Sequence, residues 1–297
     1  VFLTIIMGKL VEKHQVRLWL SSLRRNGRWT GSVVLVTDFP ACLVNNLGPG
    51  LLGAQEPQAG DPAVATFRDS NGSRVHILEV PVAYDLVHMK LHKTRIWEHL
   101  RRVQLGHPVS AAIYTDEDII FGESLESFFE EVQALEGGDR TLALFEDPGI
   151  SEGQLHTGVV VSWPTVVSEV CLRAWGANLA HFSLLPGTAS LAAVGEAEVE
   201  AAGRRGIDQK VLAGTLECGG GRGMHLLPRE LLYLPDDEGM SAGRTGEFIH
   251  LTNTNRWLDI SPVDIEDYME KVLGLPKALQ PTAKTKCDAI IPVPPDR

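Results

Sequence analysis

The sequence lacks long hydrophobic runs and any excess of positive charge. Its longest apolar stretches, residues 1–7 and 157–163, fall far short of the roughly 20 residues that a transmembrane helix needs. The 297 residues include 27 Lys and Arg against 38 Asp and Glu, which gives a net charge of −11. Such a chain does not offset the repulsion of nucleic-acid phosphates. The sequence therefore predicts a protein that neither spans a membrane nor binds nucleic acid.

Cysteine is also scarce. Cys42, Cys171, Cys218 and Cys287 are widely separated and form no Cys-x-x-Cys pair, which argues against a zinc site or a thioredoxin-type motif. Free cysteine is among the most buried residue types. We therefore expect four thiols in the core, with one or two disulfides as the alternative.

Two features bear on the cellular compartment. The chain begins at Val1 inside an apolar run without an initiator Met, which indicates a trimmed terminus, so the lack of a targeting segment says nothing about location. Asn71-Gly72-Ser73 is an N-glycosylation sequon in a turn-rich stretch. We leave the compartment open and favour the Golgi or secretory lumen over the cytoplasm.

Short β-branched runs alternate with helical segments over the first two thirds of the chain. The predicted strands lie at residues 2–8, 32–38, 75–80, 111–115, 142–145 and 158–161, and the predicted helices at 9–26, 86–104, 124–135 and 164–175. This alternation is typical of an α/β fold with a mostly parallel central sheet flanked by helices.

The sequence predicts one domain over residues 1–275. Within it, the Gly- and Pro-rich segment 45–71 is predicted to be a long surface loop or insertion. A further helix is predicted over the Ala- and Glu-rich residues 189–205. Repeated prolines predict that residues 276–297 form an extended tail along the surface.

Two carboxylates carry the clearest chemical signal. Asp116 and Asp118 directly follow the buried strand predicted at 111–115, at the strand end where open α/β sheets place their ligand crevice. Hard divalent cations take oxygen ligands and are often shared between one or two carboxylates and substrate phosphates. The pair therefore predicts a site for Mn²⁺ or Mg²⁺, although acidic pairs at loop starts are also commonly just solvated.

His250 is a candidate third ligand. It ends a short apolar run, and Asn255 and Arg256 follow within a few residues. A neutral imidazole can complete a Mn²⁺ shell, and a guanidinium provides donors suited to phosphate oxygens. Asp208 and Gln209 form another polar pair, for which helix N-capping by Asp208 is the alternative to a functional role.

Six motifs, in this order along the chain, resemble those of the GT-A glycosyltransferases, in particular the retaining glycogenin-like group and its nucleotide-diphospho-sugar transferase relatives. They span residues 1 to about 257. The motifs are Trp19-Leu20-Ser21-Ser22-Leu23, Lys93-Thr94-Arg95-Ile96-Trp97, Tyr114-Thr115-Asp116-Glu117-Asp118-Ile119-Ile120-Phe121, Leu155-His156-Thr157-Gly158-Val159-Val160, Asp208-Gln209, and His250 to Trp257.

The resemblance implies a GT-A type, Rossmann-like domain that moves a sugar, with retention, from a nucleotide-diphosphate sugar to a carbohydrate, protein or lipid acceptor. A UDP-sugar is the expected donor. The metal would be held by Asp116, Asp118 and His250. Asp208 and Gln209 would lie at the reacting face of the sugar. The implied donor-binding residues are Lys93, Thr115, Asp116, His156, Gly158, Asn255 and Arg256.

Some positions depart from the family pattern. His156 stands where the family has an Asn that contacts the donor sugar, so the sugar is not predicted. Two other functions stay open. A nucleotidyltransferase uses a related sheet, but it normally has a Gly-rich basic loop where this chain has Gly8-Lys9-Leu10. A catalytically silent module that binds nucleotide sugar or carbohydrate is the third hypothesis.

Overall fold

The computed structural model describes residues 1–12, 15–57, 60–82, 86–136, 140–146, 155–183, 207–219, 223–234, 243–251, 270–271 and 273–275. The strands are β1 (Phe2–Ile5), β2 (Val33–Thr37), β3 (Leu52–Gln55), β4 (Val64–Asp69), β5 (Arg74–Glu79), β6 (Ala112–Thr115), β7 (Ile119–Phe121), β8 (Ala143–Glu146), β9 (Leu155–Ser162), β10 (His225–Leu226), β11 (Leu232–Tyr233) and β12 (Phe248–His250). The α-helices are α1 (Gln15–Arg25), α2 (Pro40–Leu47), α3 (Leu86–Leu91), α4 (Ile96–Arg102), α5 (Glu126–Ala134), α6 (Val166–Ser183) and α7 (Ile207–Gly214).

Nine strands form the central sheet, in the order β10-β8-β9-β6-β1-β2-β5-β4-β3. The four strands in its middle, β6, β1, β2 and β5, run parallel, whereas β9 and β4 pair antiparallel at either side. The sequence pattern explains the parallel centre, because β1, β2 and β6 are mostly apolar and buried at every residue, as is typical of strands covered on both faces. The predicted α/β class is confirmed.

Each face of the sheet has its own apolar core. One core includes Trp19 of α1, Leu43 of α2 and Phe128 of α5. The opposite core includes Leu100 of α4 and Trp175 of α6. Burial of apolar surface on both faces is the main favourable term in folding, and it leaves the ends of the strands as the place for a ligand site.

The predicted helix over residues 86–104 is interrupted. It divides into α3, a 3₁₀ turn at His92–Arg95, and α4. The tighter turn changes the direction of side chains between the two helices. As a result Lys93 is buried within the turn although its neighbours Lys90 and Arg95 are more exposed.

Residues 45–71 were predicted to be a long surface loop or insertion, and the loop alternative is wrong because the segment contains strands. The end of α2 and the strands β3 and β4 occupy much of this segment, and β4 extends the central sheet by antiparallel pairing with β5. The Gly and Pro residues fall largely in the connections, such as Gly48, where the backbone φ of 64° suits glycine. The strands β3 and β4 are short, are the last two at one side of the sheet and contain few buried apolar residues, so their sequences do not predict strands.

The expectation of four free thiols is also wrong. Cys171 of α6 is disulfide-bonded to Cys218, Cys42 is disulfide-bonded as well, and no described cysteine is free. Burial itself was predicted correctly, because Cys171 and Cys218 are both fully buried. Their pairing depends on the packing of α6 against the 3₁₀ turn Leu216–Cys218, which spacing along the chain does not show.

Two predicted segments lie outside the described residues: the helix at 189–205 and the tail at 276–297. The single-domain boundary at 275 stays a prediction. Among the helices that the structure describes, none combines the length and apolar character required of a membrane span.

Candidate functional site

The candidate site lies at the carboxyl ends of the parallel strands. From β1 the chain continues to β2 on one side, whereas β6 pairs with β1 on the other side. Open α/β sheets bind ligands at such a change of strand order. Gly8 begins the 3₁₀ turn that follows β1 and has a φ of 57°. Its N–H donates to Asp38, which follows β2, at 2.9 Å. Asp116 follows β6 at the same crevice.

A second, small sheet brings His250 to the two aspartates. Its strand order is β11-β12-β7, and β12 pairs antiparallel with β7 so that His250 lies opposite Ile119. Asp118 immediately precedes Ile119, and its carbonyl accepts a hydrogen bond from the N–H of Leu251 at 3.0 Å. Strand pairing therefore brings the histidine close in space to the two aspartates, which are distant from it along the chain.

The donor set of Asp116, Asp118 and His250 fits a divalent cation. One ligand atom from each residue lies within 4.8 Å of the others, and all three residues are half-buried. The buried Asp118 Oδ1 makes no satisfactory hydrogen bond among the described residues, and its near neighbour is His250 Nε2 at 3.3 Å. Two carboxylates and one imidazole suit Mn²⁺ or Mg²⁺ better than a soft metal ion.

Charge and burial act in opposite directions on these ligands. Burial disfavours the charged form of His250, but the Asp118 carboxylate outweighs it and raises the pKa of the imidazole. Burial likewise opposes ionisation of Asp118, yet the charge of His250 keeps the pKa of this carboxyl below its ordinary value. The site therefore favours an ionised carboxylate at the position where a cation would be held.

Next to the triad lies a cluster of four charged side chains. Lys93 Nζ lies 2.8 Å from Asp116 Oδ1 and 3.1 Å from Asp208 Oδ2. Lys90 also pairs with Asp208, whose Oδ2 accepts a hydrogen bond from Thr157 Oγ1 at 2.7 Å. Two ammonium groups thus balance two carboxylates. Asp116 belongs to both groups, because it faces Lys93 on one side and the metal ligands on the other.

The ions of this cluster are held in their charged states. Burial disfavours the charge of Lys93, but Asp116 and Asp208 outweigh it and raise the pKa of the ammonium group. Burial also disfavours the Asp208 carboxylate, whose pKa is nevertheless held well below its ordinary value by Lys93 and Lys90. Since Lys93 and Asp208 are only 4% and 1% exposed, each depends on its partners for charge compensation.

Helix α7 places Asp208 at this position. The Asp208 carbonyl accepts a hydrogen bond from Trp175 Nε1 of α6 at 3.0 Å, and the Cys171–Cys218 disulfide joins α6 to the turn that follows α7. The side chains of Lys90, Lys93 and Thr157 donate hydrogen bonds to the carboxylate oxygens of Asp208. These contacts favour a role in the charge cluster over helix capping. Gln209 follows on α7 and is half-buried.

Three other predicted donor-binding residues, Thr115, Gly158 and His156, make hydrogen bonds near the two aspartates. Thr115 Oγ1 is buried and accepts a hydrogen bond from Trp19 Nε1 at 2.7 Å. The Gly158 carbonyl accepts one from the Asp116 N–H at 2.8 Å. His156 lies against His250, with Nε2 2.6 Å from His250 Nδ1. Burial and the charge of His250 lower the pKa of His156 well below its ordinary value. Their contact with a donor stays a prediction.

Asn255 and Arg256 lie outside the described residues, so the predicted contact of Arg256 with a phosphate stays a prediction. The structure adds three residues that sequence analysis did not assign: Lys90, Thr157, and Tyr114, whose hydroxyl donates to Asp116. Of these, Lys90 had a usable signal. It precedes Lys93 by three positions in a segment predicted as helix, and such residues share a face.

Comparison with known proteins bears on the fold. No protein-family model matches the chain, and no curated protein matches it. Among solved structures, it is similar to the galactosyltransferase LgtC in complex with donor and acceptor sugar analogues, with a TM-score of 0.53 and 12% sequence identity over 92% of this chain and 95% of that chain. The chain has the GT-A fold.

The GT-A fold confirms the architecture that the six sequence motifs implied. At this sequence identity the likeness concerns the course of the backbone, so it does not by itself assign a reaction. In this GT-A fold, the Asp116, Asp118 and His250 triad and the Lys93–Asp208 pair lie at the same crevice.

Proposed function

We propose that the protein is a metal-dependent glycosyltransferase that transfers a sugar from a UDP-sugar to an acceptor with retention of anomeric configuration. The acceptor class, whether carbohydrate, protein or lipid, is left open. The observation that carries the proposal is the convergence of Asp116, Asp118 and His250 within 4.8 Å at the change of strand order, in a fold shared with a galactosyltransferase.

The metal assigned to this site is Mn²⁺, with Mg²⁺ as the alternative. When bound, it would supply a Lewis acid that stabilises the negative charge of a leaving nucleoside diphosphate. Asp116, Asp118 and His250 would hold it. Lys93 and Arg256 would neutralise further charge on the diphosphate, because positioned cations stabilise charge that develops in a transition state.

Asp208 and Gln209 are proposed to lie at the reacting face of the donor sugar. Asp208 stays ionised beside Lys93 and Lys90, and a fixed carboxylate can stabilise positive charge that develops at the sugar as the glycosidic bond breaks. Thr115, Asp116, His156, Gly158 and Asn255 complete the proposed donor site. An interaction made only in the transition state affects kcat more than ground-state binding.

A thermal-shift experiment tests this function. We expect UDP to raise the melting temperature of the protein only when Mn²⁺ is present, because the cation would connect the diphosphate to the Asp116, Asp118 and His250 triad. Ligand at about 100 times its Kd stabilises the folded state by about 2.7 kcal/mol. The melting temperature would be recorded with Mn²⁺ alone, UDP alone, both together, and both with excess chelator.

The same experiment separates the proposed enzyme from a carbohydrate-binding module. Stabilisation by free monosaccharides without UDP or Mn²⁺ would favour the module. Equal stabilisation by UDP with and without the cation would contradict a metal-dependent nucleotide site. Adenosine diphosphate serves as the control nucleotide, because it has the same diphosphate and a different base.

We also propose that the protein resides in the secretory or Golgi lumen. Two observations support this: the buried Cys171–Cys218 disulfide, of a kind that persists mainly in oxidising compartments, and the exposed position of the Asn71 sequon in the turn between β4 and β5. Expression behind a secretion signal should give a single endoglycosidase-sensitive mobility shift that is lost in Asn71→Gln. A chain secreted in folded form without a glycan at Asn71 would contradict the proposal.

A further inference from the structure

The two histidines at the site make an unusual pair. His156 Nε2 and His250 Nδ1 are 2.6 Å apart, and the two rings meet edge to face with centroids 4.5 Å apart and an interplanar angle of 79°. The other ring nitrogen of His250, Nε2, faces Asp118. His250 therefore has one nitrogen toward the proposed metal ligands and the other toward His156.

This arrangement has a direct consequence for metal binding. A neutral imidazole carries one N–H, and a metal ion takes the nitrogen without the proton. For His250 to offer Nε2 to a cation, its proton has to be on Nδ1, and a buried N–H needs an acceptor. His156 Nε2 is at hydrogen-bond distance from this proton, and as an acceptor it would select the metal-binding tautomer of His250.

Nε2 is the ring nitrogen of His156 that has a hydrogen-bond partner among the described residues. His156 is 1% exposed, and when its Nε2 accepts from His250 its own proton lies on Nδ1, for which the described residues provide no acceptor. Its ring lies over Gly158, two positions along β9, where a Cβ atom would come within 2.6 Å of His156 Cε1. The absence of a side chain at Gly158 thus leaves room for the ring beside His250.

We propose that His156 is a positioning residue for the metal site, which fixes the tautomer and ring orientation of His250 through the Nε2 to Nδ1 hydrogen bond. The inference rests on the proposed function in one respect, the binding of a divalent cation by the Asp116, Asp118 and His250 triad. It gives His156 a role through His250 in place of the direct donor contact that the family resemblance implies and that the proposed donor site includes.

The test is calorimetric titration of Mn²⁺ into the parent protein and three variants, first without nucleotide and then with saturating UDP. His156→Phe keeps a planar ring and removes the acceptor, and we expect it to weaken Mn²⁺ binding by about 10–100-fold, as loss of a partner of a metal-bound histidine typically does. His156→Gln keeps an oxygen able to accept from His250 Nδ1, so we expect it to keep most of the Mn²⁺ affinity that His156→Phe loses.

His76→Phe is the matched control, since His76 of β5 is also 1% exposed and hydrogen-bonded through one ring nitrogen to another side chain, Thr66. It should leave Mn²⁺ binding unchanged. Nitrogen-15 NMR of the histidines in the parent protein with Mg²⁺ gives a measurement that needs no variant to fold. His250 should carry its proton on Nδ1.

The outcomes are distinct. A parent protein that binds Mn²⁺, with His156→Phe equal to it, would overturn the inference and leave the proposed function intact. If His156→Phe keeps the Mn²⁺ affinity of the parent but loses more affinity for UDP-sugar than for UDP, His156 contacts the donor sugar instead. A proton on Nε2 of His250 in the Mg²⁺-loaded protein would also overturn the inference. A parent protein that binds no divalent cation, with or without UDP, would remove the metal from the proposed function, and the inference with it.

Discussion

Replacing Asp118 by Asn should nearly abolish metal-dependent turnover of the donor. The carboxylate lies at the triad with Asp116 and His250, and an amide offers a cation one neutral oxygen in place of a charged one. A catalytic metal ion contributes several kcal/mol to the stability of the transition state. We expect hydrolysis of the UDP-sugar in the presence of Mn²⁺ to fall by a factor on the order of 10²–10³, since each 1.36 kcal/mol is tenfold in rate.

Asp61→Asn is the matched control for this variant. Asp61 is another partly exposed carboxylate in an ion pair, with Arg102 at 2.7 Å, and it is not one of the triad ligands. The control should turn over donor at the parent rate. Circular dichroism and the melting temperature show whether Asp118→Asn keeps its fold. A folded Asp118→Asn protein with unchanged Mn²⁺-dependent hydrolysis would refute the assignment of the metal site.

Replacing Lys93 by Met should cost both stability and donor binding. Lys93 is 4% exposed and compensates the charges of Asp116 and Asp208. Removing one partner of a buried ion pair typically destabilises a protein by about 3–5 kcal/mol, because it leaves a buried charge without compensation. We expect a loss of this size in the free energy of unfolding by denaturant, together with weaker binding of UDP in the presence of Mn²⁺.

Asp208→Asn separates the two effects. Combined with Lys93→Met, it removes the buried carboxylate that the first change leaves behind, so the double variant should recover part of the lost stability. Residues in one ion-pair network couple by about 0.5–3 kcal/mol. UDP binding should stay weak in the double variant. Purely additive losses of stability would show that Lys93 and Asp208 do not compensate each other.

Arg24→Met is the matched control for the Lys93 variant. Arg24 forms a buried ion pair with Asp69 at 2.6 Å, and neither residue belongs to the triad or to the Lys93 cluster. The control should lose stability and keep its affinity for UDP. If Arg24→Met and Lys93→Met reduce UDP binding equally, the loss reflects the weakened fold and Lys93 has no place in the donor site.

The strand end that carries Asp116 and Asp118 could be predicted because two local signals coincide there. An apolar run of strand length ends directly in the acidic pair, and the ends of parallel strands share one edge of the sheet. Local sequence signals do not predict that His250 lies beside Asp118. The proximity of His250 to Asp118 depends on the pairing of β12 with β7. The short apolar run before His250 predicts a strand but does not indicate which strand it pairs with. The family resemblance supplied that information.

Contacts that depend on packing between distant segments escaped prediction. Lys90 and Thr157 meet at Asp208 only because α3, β9 and α7 converge. The Cys171–Cys218 bond likewise follows from the packing of α6. The pairing of His156 with His250 has no sequence signal either, because the two residues lie on strands of different sheets, β9 and β12. Periodicity describes one segment at a time and does not report such contacts.

The proposed enzyme binds a nucleotide sugar in this crevice through a divalent cation and transfers its sugar. The most direct measurement is the release of nucleoside diphosphate from a panel of nucleotide sugars, incubated with the parent protein and Mn²⁺ without added acceptor, since water can replace the acceptor at a slow rate. We expect release of UDP from one or a few UDP-sugars, and we expect chelator to abolish it and added Mn²⁺ to restore it. A folded protein that releases no diphosphate from any nucleotide sugar, or that does so equally well in the presence of chelator, would contradict this proposal.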